Sequence, residues 1–138
     1  MSEKRKVDEL FDLTGHVAVV TGAGRGIGEG IAVAMSEAGA SVVLAARRTE
    51  EIERVANEIN DNGGQALAVT TDVTDDSALE NLANTAVEHF GSLSDWVNNA
   101  GGSPMRMPII DLPREERDKT LALNLTAVYS GSVIAARH

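Results

Sequence analysis

Several groups of residues in this 138-residue chain have types and spacing suited to binding a phosphorylated ligand. The first is Thr21-Gly22-Ala23-Gly24-Arg25-Gly26-Ile27-Gly28, which follows the apolar run Val17 to Val20. Glycine adopts positive φ and presents no Cβ, so backbone and ligand can approach closely. A helix starting directly afterwards points free N–H groups and a positive dipole end at any anion placed there. Four glycines in a strand-to-helix turn therefore make room for a phosphate, and the diphosphate bridge of a dinucleotide fits. The common G-x-G-x-x-G spacing fails in every register, because its last position falls on Ile27, Glu29 or Ile31. What stands here is Gly22-x-x-x-Gly26-x-Gly28. No Gly-Lys-Ser or Gly-Lys-Thr follows, which excludes a P-loop.

The second group is Arg47-Arg48, at the end of the next apolar run, near the offset of about twenty residues where a carboxylate would bond a ribose 2′-hydroxyl. No carboxylate is there. Arg47 is planar and permanently charged, which suits a 2′-phosphate, and Arg25 in the glycine turn would approach the same group. The competing reading makes Arg47 and Arg48 solvated residues at a strand end. Asp72-Val73 follows a third apolar run, where an Asp otherwise serves as a helix cap. The paired Asn98 and Asn99 can satisfy backbone groups of adjoining strands. Asn124, between Leu123 and Leu125, is a polar amide that needs a bonding partner.

Thr-Gly-x-x-x-Gly-Ile-Gly directly after the first strand, together with Asn98-Asn99-Ala100-Gly101, resembles the short-chain dehydrogenase/reductase family. The resemblance covers nearly all of the chain but only about the amino-terminal half of that fold. It implies a nicotinamide dinucleotide held by Thr21, Gly22, Gly24, Arg25, Gly26, Ile27 and Gly28. Arg25 with Arg47 resembles the members that prefer NADP to NAD. It further implies that Asp72, beside Val73, accepts a hydrogen bond from the adenine amino group. Ala100 and Gly101 would pass close to ribose and nicotinamide, with Asn98 mainly structural, and Asn124 would hold a water of the proton relay. The implied reaction moves a hydride between NADP(H) and a small-molecule alcohol or carbonyl substrate. The helix carrying Asn124 would pack against its copy in a homo-oligomer, with Val128 and Ile134 at that interface.

The family's general acid–base chemistry needs a Tyr-x-x-x-Lys pair and a serine on a later strand. The only tyrosine is Tyr129, four residues before Val133, and the lysines are Lys4, Lys6 and Lys119. Ser130 and Ser132 lie on the helix of Tyr129. The chain is therefore expected to be the cofactor-binding, amino-terminal part of an oxidoreductase, inactive without a carboxyl-terminal half. Two other readings remain open: a non-catalytic dinucleotide-binding module, and half of a split enzyme completed by another polypeptide.

Composition bounds the partners. With 21 acidic and 12 basic residues the net charge is −9, which repels nucleic acid and requires any nucleotide to be held locally. Cysteine is absent, so there are no disulfides or thiolate metal sites, in keeping with a reducing cytoplasm. Lys4-Arg5-Lys6 precedes Val7-Asp8-Glu9-Leu10-Phe11-Asp12, too acidic for a signal peptide, and no apolar run approaches membrane-spanning length.

The elements that must position these residues alternate. Residues 1–15 read as an arm, with Leu10, Phe11 and Leu13 tucked against the first strand, and 16–138 as one Rossmann-type domain. Strands are expected at His16–Thr21, Ser41–Ala46, Ala66–Thr70 and Ser94–Asn98. Between them lie a helix with its stripe at Ile27, Ile31, Ala34, Met35 and Ala38, and one capped by Thr49 with Ile52, Val55, Ala56 and Ile59 buried. A third, after the capping Thr74, buries Leu79, Leu82, Ala83, Ala86, Val87 and Phe90. Pro113 starts a last helix, with Leu121, Leu125, Val128, Val133 and Ala136 on one side, running to His138. Such alternation closes as right-handed crossovers onto a parallel sheet with helices on both faces, an α/β doubly wound fold. The family implies strand order 3-2-1-4. Met105, Met107, Pro108 and Ile109 would line an apolar mouth of the site or pack as a loop core.

Overall fold

The computed structural model describes residues 7–103 and 105–138. The Lys4-Arg5-Lys6 run lies outside them. The elements are α1 (Val7–Leu10), β1 (Val17–Thr21), α2 (Gly26–Glu37), β2 (Ser41–Ala46), α3 (Thr49–Asp61), β3 (Gln65–Thr70), α4 (Asp76–Phe90) and β4 (Asp95–Val97). A short 3-10 turn at Ile109–Asp111 leads to α5 (Arg114–Leu121), a π-helical turn (Ala122–Thr126) and α6 (Ala127–Ala135).

The four strands form one parallel sheet in the order β3-β2-β1-β4. Every residue of β1 is buried, as an apolar run covered on both faces requires. Alternate residues divide between the faces. Ala18, Val20, Val42 and Leu44 pack with Ala32 of α2 and Ile52, Val55 and Ile59 of α3. Val17, Val19, Val43 and Ala45 pack with Leu82 and Ala86 of α4 on the other side. Leu44, Ile52, Leu79 and Leu82 are almost entirely withdrawn from water, each worth about 2 kcal/mol in hydrophobic stabilisation. Ala127 and Ile134 of α6 pack on Val73, Leu79 and Ala83.

Several local expectations are corrected. Leu10 and Phe11 are 58% and 70% exposed, and only Leu13 reaches the core. Both faces of β1 are already closed by α2, α3 and α4, which leaves no space for them. Ile27 and Ala34 face outward, while Gly28 and Ala32 carry the buried side of α2. The glycine-side face wins because it lets α2 sit against β1. Thr49 does not cap α3: Arg48 holds the cap position without a side-chain capping bond, and the Thr49 hydroxyl pairs with that of Thr70 at 2.7 Å. Thr74 does not cap α4 either. Asp75 accepts from the N–H groups of Ser77 and Ala78, while the Thr74 hydroxyl turns back to Asp72. The stripe Ile52, Val55, Ala56 and Ile59 is buried as the spacing requires.

The last helix differs most. Pro113 sits just before α5, and α6 ends at Ala135, short of His138. Its buried positions are Ala127, Gly131 and Ile134, whereas Leu121 and Leu125 are exposed. Ile134 therefore faces the core and not an intersubunit surface. The π turn shifts the helical register by one residue, which rotates the apolar stripe away from the positions a regular helix would align.

Candidate functional site

At the carboxyl end of the sheet, between β1 and β4 where the winding reverses, lies a cleft of about 430 Å³. Its wall includes Gly22, Gly24, Arg25, Gly26, Ile27 and Gly28 of the turn, Arg47 and Arg48 after β2, Asp72 and Val73 after β3, and Ala100 and Gly101 after β4. Residues distant in sequence meet here because all four strands run parallel and end on the same side.

The turn is fixed by hydrogen bonds to its neighbours. The Gly22 and Ala23 N–H groups both donate to Ala45 O, at 2.7 and 3.2 Å. Gly22 has φ +67, a conformation costly for any residue with a Cβ. A Cβ on Gly28 would lie 2.1 Å from Gly22 O, so only glycine lets the start of α2 close onto the turn. At Gly26 a Cβ would meet nothing within 4 Å, because that residue borders open space. The first turn of α2 thus offers backbone N–H groups to the cleft, the geometry that receives a diphosphate.

Thr21, Asn98 and Asn124 do not line the cleft. Thr21 is buried, its hydroxyl donating to Val97 O and accepting from the N–H groups of Asn99 and Ala100. Asn98 accepts from Trp96 Nε1 at 2.9 Å and donates to Ser132 Oγ at 3.0 Å, tying β4 to α6. Asn124 accepts from the Gly102 N–H at 2.9 Å and donates to Gly102 O at 2.7 Å and Thr120 O at 2.9 Å. Its side chain thereby competes for the Thr120 carbonyl that a regular helix would bond to the Asn124 N–H. The ladder relaxes there to the wider turn, in which the Ala127 N–H reaches Ala122 O.

Charge is concentrated at one end. Arg25, Arg47 and Arg48 line the cleft together with Glu51 of α3, and Arg48 Nη1 donates to Glu51 Oε1 at 2.7 Å. That bond, first of all, holds the Glu51 carboxyl below its ordinary value, with Arg25 and Arg54 adding to the effect. Asp72 is also lowered, chiefly by the Thr74 hydroxyl, then by the Thr74 N–H, with a contribution from Arg47.

Sequence reasoning missed one member, Glu51, while Asn99 satisfies backbone groups of the adjoining strand as the paired asparagines imply. The i+3 spacing of Glu51 from Arg48 is the signal that could have found it. Asn99 braces the turn with Nδ2 bonds to Thr21 O at 2.9 Å and Gly22 O at 3.2 Å.

The short chain dehydrogenase family model matches residues 16–138. The chain belongs to this family. It is 40% identical over 129 residues to the versicolorin reductase of Emericella nidulans, covering 93% of this chain and 48% of that one. It is 42% identical over 105 residues to the 7alpha-hydroxysteroid dehydrogenase of Escherichia coli K12, covering 74% and 41%. Among solved structures, a short-chain type dehydrogenase/reductase from Mycobacterium marinum superposes with a TM-score of 0.91 at 37% identity, over 96% of this chain and 53% of the other. A 7 alpha-hydroxysteroid dehydrogenase complexed with NADH and 7-oxo glycochenodeoxycholic acid gives 0.89 at 36% identity, over 96% and 51%. The chain thus spans about half the length of the family members it matches. Among the described residues no helix is long and apolar enough to cross a membrane, and no cluster of His, Asp or Glu could hold a metal ion.

Proposed function

We propose that this chain is the coenzyme-binding half of a cytoplasmic NADP(H)-dependent oxidoreductase acting on a small alcohol or carbonyl compound. One observation carries the reading: a cleft floored by Cβ-free backbone at a helix start ends in three arginines, Arg25, Arg47 and Arg48. The floor suits a diphosphate and the arginines suit a phosphate on the ribose. When bound, the coenzyme supplies the hydride donor or acceptor.

The residues divide the work. Gly24, Gly26, Ile27 and Gly28 present backbone to the diphosphate, and Thr21 holds the turn from behind. Arg25 and Arg47 take the 2′-phosphate. Asp72 accepts from the adenine amino group, with Val73 packed in the core beside it. Ala100 and Gly101 form a flat wall for ribose and nicotinamide, and Asn98 fixes β4 beneath them. Asn124 holds the Gly101-Gly102 segment and keeps one acceptor position on Oδ1 for a relay water. These 138 residues hold no Tyr-x-x-x-Lys pair, so in this reading hydride transfer draws its acid–base pair from a segment other than this one. Leu121, Leu125 and Tyr129, exposed on successive turns, support a homo-oligomer through this helix.

The test is a titration of the chain with NADPH and NADH, followed by nicotinamide fluorescence, for wild type and Arg47→Asp. We expect wild type to favour NADPH and the variant to lose at least about tenfold of that preference, the scale of one charge-assisted contact to a phosphate. An unchanged preference would remove the 2′-phosphate assignment. Tight binding without any activity on restoring a Ser and Tyr-x-x-x-Lys segment would favour the non-catalytic module.

A further inference from the structure

The arginine end of the cleft contains a carboxylate of its own. Glu51 stands in its wall with its side chain 30% exposed, its Oε1 engaged by Arg48 Nη1 at 2.7 Å. The glycine turn presses on it: a Cβ on Gly24 would lie 2.8 Å from Glu51 Cβ and 3.0 Å from Oε2. The Glu51 side chain therefore lies directly against the backbone that borders the cleft. Arg25 lines the same cleft and its charge adds to the lowering of the Glu51 carboxyl that Arg48 chiefly causes. Arg54, the remaining cation nearby, is already neutralised by Glu29 at 3.0 Å and Glu58 at 2.9 Å, and it donates to Gly24 O at 3.3 Å. Among the described residues Arg25 and Arg47 form no ion pair; Asp72, the other carboxylate of the cleft wall, is bonded to Thr74 and feels Arg47, whereas Glu51 is the carboxylate bonded directly to a cleft arginine.

We propose that Glu51 is a specificity-determining residue that competes with the coenzyme's 2′-phosphate for Arg48 and the surrounding positive field. It holds down the preference for the phosphorylated coenzyme. The physical basis is competition of like charges: a phosphate entering this end must share Arg48 with a carboxylate already bonded to it, and it meets that negative charge in a partly desolvated wall. A coenzyme bearing a 2′-hydroxyl carries no such charge and meets no such penalty. Glu51 thus lets one site accept both coenzymes despite three arginines.

This inference rests on the coenzyme reading above, and the experiment separates the two. Wild type, Glu51→Gln and Glu51→Asp are titrated with NADPH and NADH, and the ratio of the two affinities is compared. The ratio isolates a single phosphate, so a general packing role of Glu51 would leave it unmoved. We expect Glu51→Gln, which keeps the shape against Gly24, to raise the NADPH-to-NADH ratio about tenfold, and Glu51→Asp, which keeps the charge, to stay near wild type. An unchanged or lowered ratio in Glu51→Gln, or an equal rise in Glu51→Asp, would overturn the role of Glu51 alone. A wild-type chain that binds neither coenzyme would overturn both readings.

Discussion

Asn99 donates to Thr21 twice, from its backbone N–H to the Thr21 hydroxyl at 3.1 Å and from Nδ2 to the Thr21 carbonyl at 2.9 Å. These bonds lock the end of β1 to the end of β4, the two strands between which the cleft opens. The Thr21 hydroxyl also accepts from the Ala100 N–H at 3.0 Å, in a setting where Thr21 is only 1% exposed. Position and burial together make this residue a brace.

Replacing Thr21 with Val keeps the volume and removes the acceptor. The N–H of Ala100, half-buried in the cleft wall, is then left without this partner, which costs about 1 kcal/mol. Denaturant unfolding of Thr21→Val should show that loss with little change in the slope against denaturant. A loss below about 0.5 kcal/mol would mean that water or a relaxed turn replaces the hydroxyl.

Gly28→Ala tests the close approach of α2 to the turn. The added Cβ would stand 2.1 Å from Gly22 O and 2.4 Å from Asn99 Nδ2, so the helix start must move outward. Overpacking of this kind costs about 3 kcal/mol, and coenzyme affinity should fall with it. Gly30→Ala, where a Cβ meets nothing within 4 Å, should be neutral or slightly stabilising. Equal effects of the two substitutions on unfolding would contradict the packing argument.

The architecture was legible because its signals are local. The runs around Val19 and Val43, and the spacing of Ile52, Val55, Ala56 and Ile59, report burial directly. Gly91, at φ +89 after α4, marks a helix end that the sequence announces. What escaped depends on contacts across the fold. Thr49 and Thr74 are good caps by residue type, yet Thr70 and Asp72 offered their hydroxyls other partners. Leu121 and Leu125 look like core by spacing. The bonding of Asn124 to Gly102 and Thr120, together with the π turn, changed which side faces inward. The pairing of Glu51 with Arg48 likewise became a wall of the cleft only once Gly24 was brought against it.

Asp72 gives a pH prediction. Its carboxyl lies below the ordinary 3.8 in the folded chain because Thr74 donates to it from hydroxyl and backbone. The unfolded chain therefore binds this proton first as pH falls. Asp72 contributes stability above the ordinary carboxylate value, and that contribution disappears as pH drops through the lower folded value. Carboxyl NMR should place the Asp72 midpoint below 3.8. In Asp72→Asn this part of the acid-side decline should vanish, and an Asp72 midpoint at or above the ordinary value would refute the assignment.

The central claim is that the bend from Gly22 to Gly28 receives the diphosphate of a nicotinamide coenzyme. The most direct measurement is the change in backbone amide NMR signals of this chain as NADPH is added. The account predicts saturable shifts, largest at Gly24, Gly26, Ile27 and Gly28, with further shifts at Val73, Ala100 and Gly101. Unmoved amides in that bend, or shifts centred instead on the hollow beside Ser36, Asn62 and Gly64, would contradict it.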